Sequence, residues 1–365
     1  GDYYIPANGA LVLDGSEVVV LSTADSYQEI NAAWGLSAPN TIGVASSGGA
    51  QSFSVYGKFQ VNSGYFSTRE SGGLITWNVS SGQFVINGGT IDAKQFRSAG
   101  GGGGLASYTQ AGGELILRGR FQRIPSAYTS VSDLVNAPIN TTRAISGLNG
   151  ALGTFNLNEP TNVFSMSAGT IRIYDVCGDG SVAAQQKVFE VLSSTGNINV
   201  TGGTLELIPT TGTGTNSPNQ IIISNASLGN LTVNRASSAS VVLLNTYPLT
   251  VLNTFNLMSG DFNANSLDVT VGGNFTIASG TTYTPGSNWT ILNGSSIQTM
   301  TVNLGAALAL NKFKIDKPAG TTLTLAGSQS NVTVNDSLII AKATFADGGK
   351  TISLAGTIAT ASYLY

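Results

Sequence analysis

Residues 59–66 read FQVNSGYF, and residues 84–91 read FVINGGTI. Each stretch sets apolar side chains at alternate positions, breaks at a small residue and a glycine, and then alternates again. A period of two belongs to a strand that buries one face. Glycine tolerates a backbone turn that a Cβ would hinder. The phrase is therefore strand, turn, strand. It returns around Gly113 (QAGGELIL), Gly169 (FSMSAGTIRI), Gly203 (INVTGGTLEL), Gly260 (FNLMSGDFNA) and Gly280 (FTIASGTTYT). The steps from Gly64 to Gly89, Gly89 to Gly113 and Gly260 to Gly280 are short; those from Gly113 to Gly169, Gly169 to Gly203 and Gly203 to Gly260 are long. The short steps fit one coil of a β-solenoid, and the long ones fit two coils or one coil carrying a loop. A hairpin array would turn more often and more evenly.

Composition supports stacking. A globular chain of 365 residues would divide into several domains. A repeat protein grows along one axis instead, each unit burying itself against its neighbours. Charged residues are 10% of the chain, against about 25% in ordinary proteins. In a solenoid, like positions of successive coils lie about 4.8 Å apart, so stacked like charges would repel. Apolar residues at 41% suffice for a long core. The net charge of −3 shows no basic excess, which disfavours a nucleic-acid groove. No apolar run approaches the ~20 residues of a membrane span. With one cysteine, Cys177, no intrachain disulfide forms, and the opening GDYYIP reads as a mature product or a fragment.

A longer correspondence lies toward the C-terminus. Residues 230–233 (NLTV) match 312–315 (KFKI), 254–257 match 337–340, 261–262 match 344–345, and 269–273 match 352–356. The interval is constant to within one position, an internal repeat of about 82 residues. The expected fold is all-β, a right-handed parallel β-helix (β-solenoid) with loop excursions; tandem immunoglobulin-like β-sandwiches are the alternative, since about 80 residues is also their size. The expected organisation is N-terminal coils with a possible cap over 1–96 and a Gly-rich loop and lateral excursion over 97–150. Middle coils follow over 151–227, and C-terminal coils carrying the long repeat over 228–365.

The phrases LGNLTVNRASSASVVLL (228–244), LTVLNTFNLMSGDFNANSLDVTVGGNFTI (249–277) and WTILNGSSIQTM (289–300) resemble the large repetitive cell-surface adhesins of Bacteroidota, including SprB-like gliding-motility adhesins. FSMSAGTIRIYDVCG, VFEVLSSTGNINVTGGTLELIP and DYYIPANGALVLDGSEVVVL are similar to the same group. The resemblance implies a segment of a giant extracellular filament on the bacterial outer surface. Such a filament is exported by the type IX secretion machinery and attaches to surfaces, cells or glycans beside neighbouring segments of its own chain. It brings no catalytic residues and no cofactor.

Candidate sites are few. The absence of histidine removes Ser-His-Asp and Cys-His nucleophiles and histidine metal sites. A β-helix polysaccharide lyase or hydrolase needs no histidine, but it needs clustered carboxylates. Here Asp92, Asp133, Asp175, Asp179, Asp261 and Asp268 are spread thinly, and the chain reads as non-enzymatic. Asp175 and Asp179 bracket a glycine turn and are candidate calcium ligands, without the third acid and distal Glu of a full loop. Arg118 and Arg120 share one strand face, with Arg123 and Tyr128 close by; the four form a candidate patch for acidic glycans, or a plain solvated face. Trp34, Trp77 and Trp289 are candidate sugar-stacking rings or simply packed aromatics. The outward Thr232, Thr250, Thr270 and Thr276 suggest an ice- or crystal-binding face, interrupted by Asn, Asp and Ser.

Overall fold

The computed structural model describes residues 3–16, 18–22, 41–44, 53–70, 75–77, 82–93, 95–98, 106–117, 154–174, 185–208, 219–235, 241–328 and 331–355. The chain divides into two compact units, one of Gly1–Gly203 with Pro209–Ser217 and the other of Thr204–Ile208 with Pro218–Tyr365. The strand pairs described in both units are parallel. Immunoglobulin-like sandwiches have antiparallel neighbours, so the fold is the parallel β-helix and not the tandem-sandwich alternative.

In the first unit each coil visits three columns. The first stacks Ala10–Leu13, Lys58–Val61, Gln83–Ile86, the opening halves of Ser107–Leu117 and Val163–Tyr174, and Ile198–Val200. The second stacks Val18–Ser22, Tyr65–Glu70, Thr90–Ala93 and the closing halves of the same two long strands. The third stacks Ile75–Trp77, Phe96–Ser98, Phe155–Leu157 and Gln185–Val191. Phe59 lies opposite Phe84, Phe84 opposite Tyr108, Tyr108 opposite Phe164, and Phe164 opposite Ile198. The long steps from Gly113 to Gly169 and from Gly169 to Gly203 are therefore single coils and not two. Ser107–Leu117 departs from the expected excursion over 97–150. It is a full coil strand, because its own phrase around Gly113 fits the columns on either side.

The seven glycines of the phrase share one backbone state, with φ of 81° at Gly64, 68° at Gly89, 60° at Gly113, 82° at Gly169, 79° at Gly203, 80° at Gly260 and 76° at Gly280. Space is as restrictive as angle. A Cβ on Gly89 would lie 2.7 Å from the Gly64 carbonyl oxygen of the preceding coil, closer than real Cβ atoms approach.

Aromatic rings fill the interior of this unit. Phe96, Phe155 and Phe189 stack along the third column with centroids 5.0 Å apart at each step. Phe84, Tyr108 and Phe164 stack along the first at 5.5 and 5.8 Å. The two files meet edge to face, Tyr108 on Phe155 at 5.1 Å and Phe164 on Phe189 at 6.0 Å. Offset-stacked and edge-to-face rings add about 0.5–1.5 kcal/mol per pair beyond burial. Outside, Asn87 donates to Asn62 at 2.8 Å and Asn62 donates to Asp14 at 3.1 Å, a side-chain ladder across three coils.

The second unit also has three columns. The first runs from Thr204–Ile208 through Asn230–Asn234, Phe255–Ser259, Phe275–Ile277, Gln298–Val302 and Thr322–Ala326 to Thr344–Ala346. The second stacks Asn219–Ser224, Val241–Leu244, Asp261–Asn263 and Thr282–Thr284. The third stacks Leu249–Val251, Val269–Val271, Trp289–Leu292 and the closing halves of Leu308–Asp316 and Asn331–Ala341, while the opening halves of those two long strands stack on each other and carry Thr351–Leu354. Leu231, Phe255, Phe275 and Met300 stack one above another, so successive coils differ in length while their inward positions stay aligned.

The long internal repeat is not a whole number of such coils. Residues 230–233 lie in the first column and their match, 312–315, in the third. Residues 261–262 lie in the second column and 344–345 in the first. The matched segments share a strand pattern and occupy different faces.

Candidate functional site

Arg118, Arg120, Arg123, Tyr128, Asp175 and Asp179 all lie outside the described residues, as do Trp34, Asp133 and Cys177. The remaining acids stay apart. Asp92 is buried in the first unit and accepts the Tyr65 hydroxyl at 3.0 Å. Asp261 opens Asp261–Asn263 in the second unit, and Asp268 accepts the Trp289 backbone N–H at 3.0 Å. Among the described residues no three Asp, Glu, Cys or His side chains come together as metal ligands would. Two surface depressions, about 240 Å³ beside Asn8, Lys58 and Gln83 and about 150 Å³ beside Asn225, Tyr247 and Pro248, fall below the ~300–1,000 Å³ of sites that enclose a small ligand. Among the described residues no helix is long and apolar enough to cross a membrane.

The second unit's outward faces hold the most developed chemistry. On the third column, Trp289 lies in register with Lys312, and Lys312 with Ser337. Alternation turns Ile291 and Lys314 outward beside them and sends Leu292 and Ile315 into the core. Lys312 Nζ stands 5.8 Å from the centre of the Trp289 ring and 3.6 Å from Asp336 Oδ2. Lys314 Nζ stands 2.8 Å from Asp316 Oδ2. These four charged side chains are about one third to one half exposed, with relative areas of 31%, 36%, 32% and 47%. Exposed ion pairs contribute only about 0–1 kcal/mol, so either ammonium can exchange its carboxylate for another acceptor at little cost. An indole flanked by exchangeable cations and an apolar side chain can stack on a sugar ring while the amines take its hydroxyl or acidic groups.

Sequence reasoning found Trp289 and missed its neighbours. Lys312 and Asp336 belong to the next coil and the one after it, far from Trp289 along the chain. The coil spacing itself is the signal that pairs them.

From Asn230–Asn234 onward the first column presents a neutral polar face. Thr232, Asn256, Thr276, Thr301 and Ala326 are successive register partners, and Thr299 stacks on Thr324. The asparagines also bridge coils: Asn230 Oδ1 accepts the Thr254 N–H at 3.1 Å and Asn274 Oδ1 the Thr299 N–H at 2.9 Å. Of the threonines read from the sequence, Thr232 and Thr276 are separated here by Asn256, while Thr250 and Thr270 are partners on the third column.

No family model, curated protein or solved structure matches the chain.

Proposed function

We propose that the chain is a structural and adhesive segment of a secreted bacterial cell-surface filament, holding its outward faces toward glycans or other extracellular surfaces. The observation that carries this reading is the division of labour in each coil. Apolar and aromatic side chains fill the interior column, and the backbone is committed to the ladder. The outer face is left with Asn, Thr and a few exchangeable charges around Trp289. Backbone ladders along the stacking direction resist extension, because separating two coils breaks several hydrogen bonds together. The resemblance to gliding-motility adhesins supports export through type IX secretion and a place among like segments of a longer chain.

The test is retention of the purified chain on immobilised neutral and acidic polysaccharides. Binding is expected, and Trp289→Ala combined with Lys312→Ala should weaken it at least about fivefold, since ring stacking and charge contacts of this kind are worth about 1–3 kcal/mol together. No retention on any polysaccharide or cell-surface preparation would sink the adhesive reading. Incubation with the same polysaccharides separates it from a β-helix lyase or hydrolase, which would release shortened products.

The stacking of Thr276 on Thr301 and of Thr299 on Thr324 favours a second reading, a crystal-binding face. Asn256 and Ala326 break its regularity. Thermal hysteresis of ice growth above a buffer control is the outcome that would promote it.

A further inference from the structure

In the first unit an amine and a carboxamide are held on one carboxylate. Asn156, in Phe155–Leu157, is the register partner of Glu190, in Gln185–Val191. Asn156 is 0% exposed and Glu190 3% exposed, so the pair is shut off from bulk water. Asn156 Nδ2 donates to Glu190 Oε2, and Lys187 Nζ donates to Glu190 Oε1 at 2.7 Å. Asn156 Oδ1 accepts no hydrogen bond among the described residues, so the carboxamide is anchored through its nitrogen alone. Phe155, Leu157, Phe189 and Val191, on either side along the two strands, are buried and fix both backbones.

We propose that Lys187 and Asn156 are joined by an isopeptide bond formed in the folded chain, with Glu190 as the catalytic proton carrier. Glu190 takes a proton from the Lys187 ammonium. The free amine attacks Cγ of Asn156, forming the Nζ–Cγ bond. Glu190 passes its proton to Nδ2, the Cγ–Nδ2 bond breaks, and the nitrogen leaves as ammonia, which carries away the remaining proton as ammonium. Nothing is oxidised or reduced, and no other reactant is needed. Placement of both nitrogens on one carboxylate converts a reaction that is negligible between free side chains into an intramolecular one. The product ties the coil of Phe155–Leu157 covalently to the next coil, independently of what the outer faces bind.

The test is the intact mass of the purified folded chain, followed by tryptic mapping. The expected mass is one ammonia below that of the sequence. The expected map contains a branched peptide joining Asn156 to Lys187, with no cleavage after Lys187. Lys187→Arg keeps the charge beside Glu190 but cannot form the bond, and should regain the full mass; Glu190→Gln should regain it too, with cleavage at Lys187 restored. An unmodified wild-type mass overturns the proposal without reference to any variant. So does an ammonia loss that maps elsewhere, such as a succinimide at Asn293-Gly294. Retention of the cross-link in Glu190→Gln overturns the role given to Glu190.

Discussion

Gly89 illustrates how one residue type is forced. Its φ of +68° and the Gly64 carbonyl oxygen 2.7 Å from any added Cβ leave room for hydrogen only. Left-handed backbone costs a non-glycine residue about 1–2 kcal/mol, and overpacking costs about 1–3 kcal/mol more. Gly89→Ala should therefore lower unfolding stability by about 2–5 kcal/mol in a urea titration. Gly196→Ala, whose Cβ would meet nothing within 4 Å, should stay within about 0.5 kcal/mol of the parent. Tyr283 gives a prediction in pH. Burial raises its pKa, opposed by its hydrogen bond to the Thr290 hydroxyl at 2.9 Å. An unfolded tyrosine ionises near pH 10, so above that pH the folded chain holds the extra proton. Stability from this group is full below about pH 10 and falls as pH rises beyond it. Lys317 has the opposite sign. Its Nζ sits among the Gly294 carbonyl at 2.6 Å, the Ser296 carbonyl at 2.8 Å and Gln298 Oε1 at 3.2 Å, and burial lowers its pKa. Its contribution rises with pH up to the ordinary lysine value near 10.4. The net expectation is an alkaline loss of stability beginning above about pH 10, made shallower by Tyr283→Phe. An unchanged slope in that variant would remove Tyr283 as the cause.

Among elements, Phe155–Leu157 is the one on which the first unit's interior turns. Phe155 stacks on Phe96 and Phe189 and meets Tyr108 and Phe164 edge-on, so four rings lose a neighbour if it is removed. Buried Phe→Ala changes cost about 3–5 kcal/mol. Phe155→Ala should reach the upper part of that range by chemical denaturation, with Phe155→Leu recovering part of it. A loss below about 1 kcal/mol would mean the rings do not bear on one another as described. The alternation that makes Phe155 inward is plain in FNL; its partners are not. Phe96 comes from the coil before and Phe189 from the coil after, and neither is near Phe155 in sequence. The strand phrase also misleads at this scale. Because every half-buried strand alternates alike, 230–233 and 312–315 resemble each other in sequence and still lie on different columns.

Across the whole molecule, charge is scarce: 16 Lys and Arg and 19 Asp and Glu in 365 residues. In the second unit charges are offset where they meet, Lys312 by Asp336 and Lys314 by Asp316. Screening therefore has little to remove, and the urea midpoint is expected to change by less than the equivalent of about 1 kcal/mol between low salt and ~0.5 M NaCl. A larger fall would reveal electrostatic support that the described residues do not account for. The sequence by itself determined an all-β chain of repeated half-buried strands, with coiling the expected fold and tandem sandwiches the alternative. Period-two alternation, glycines where φ is positive and few charges are local requirements, met residue by residue in any parallel stack. Only the tertiary structure decided which coil lies on which. Tyr108 meets Phe164 across a whole coil, Asn156 meets Glu190, and Trp289 meets Lys312. The physical reason is that alternating strands are interchangeable as patterns. Their register is chosen by the length of chain between them and by the fit of rings and carbonyl oxygens once the coils close.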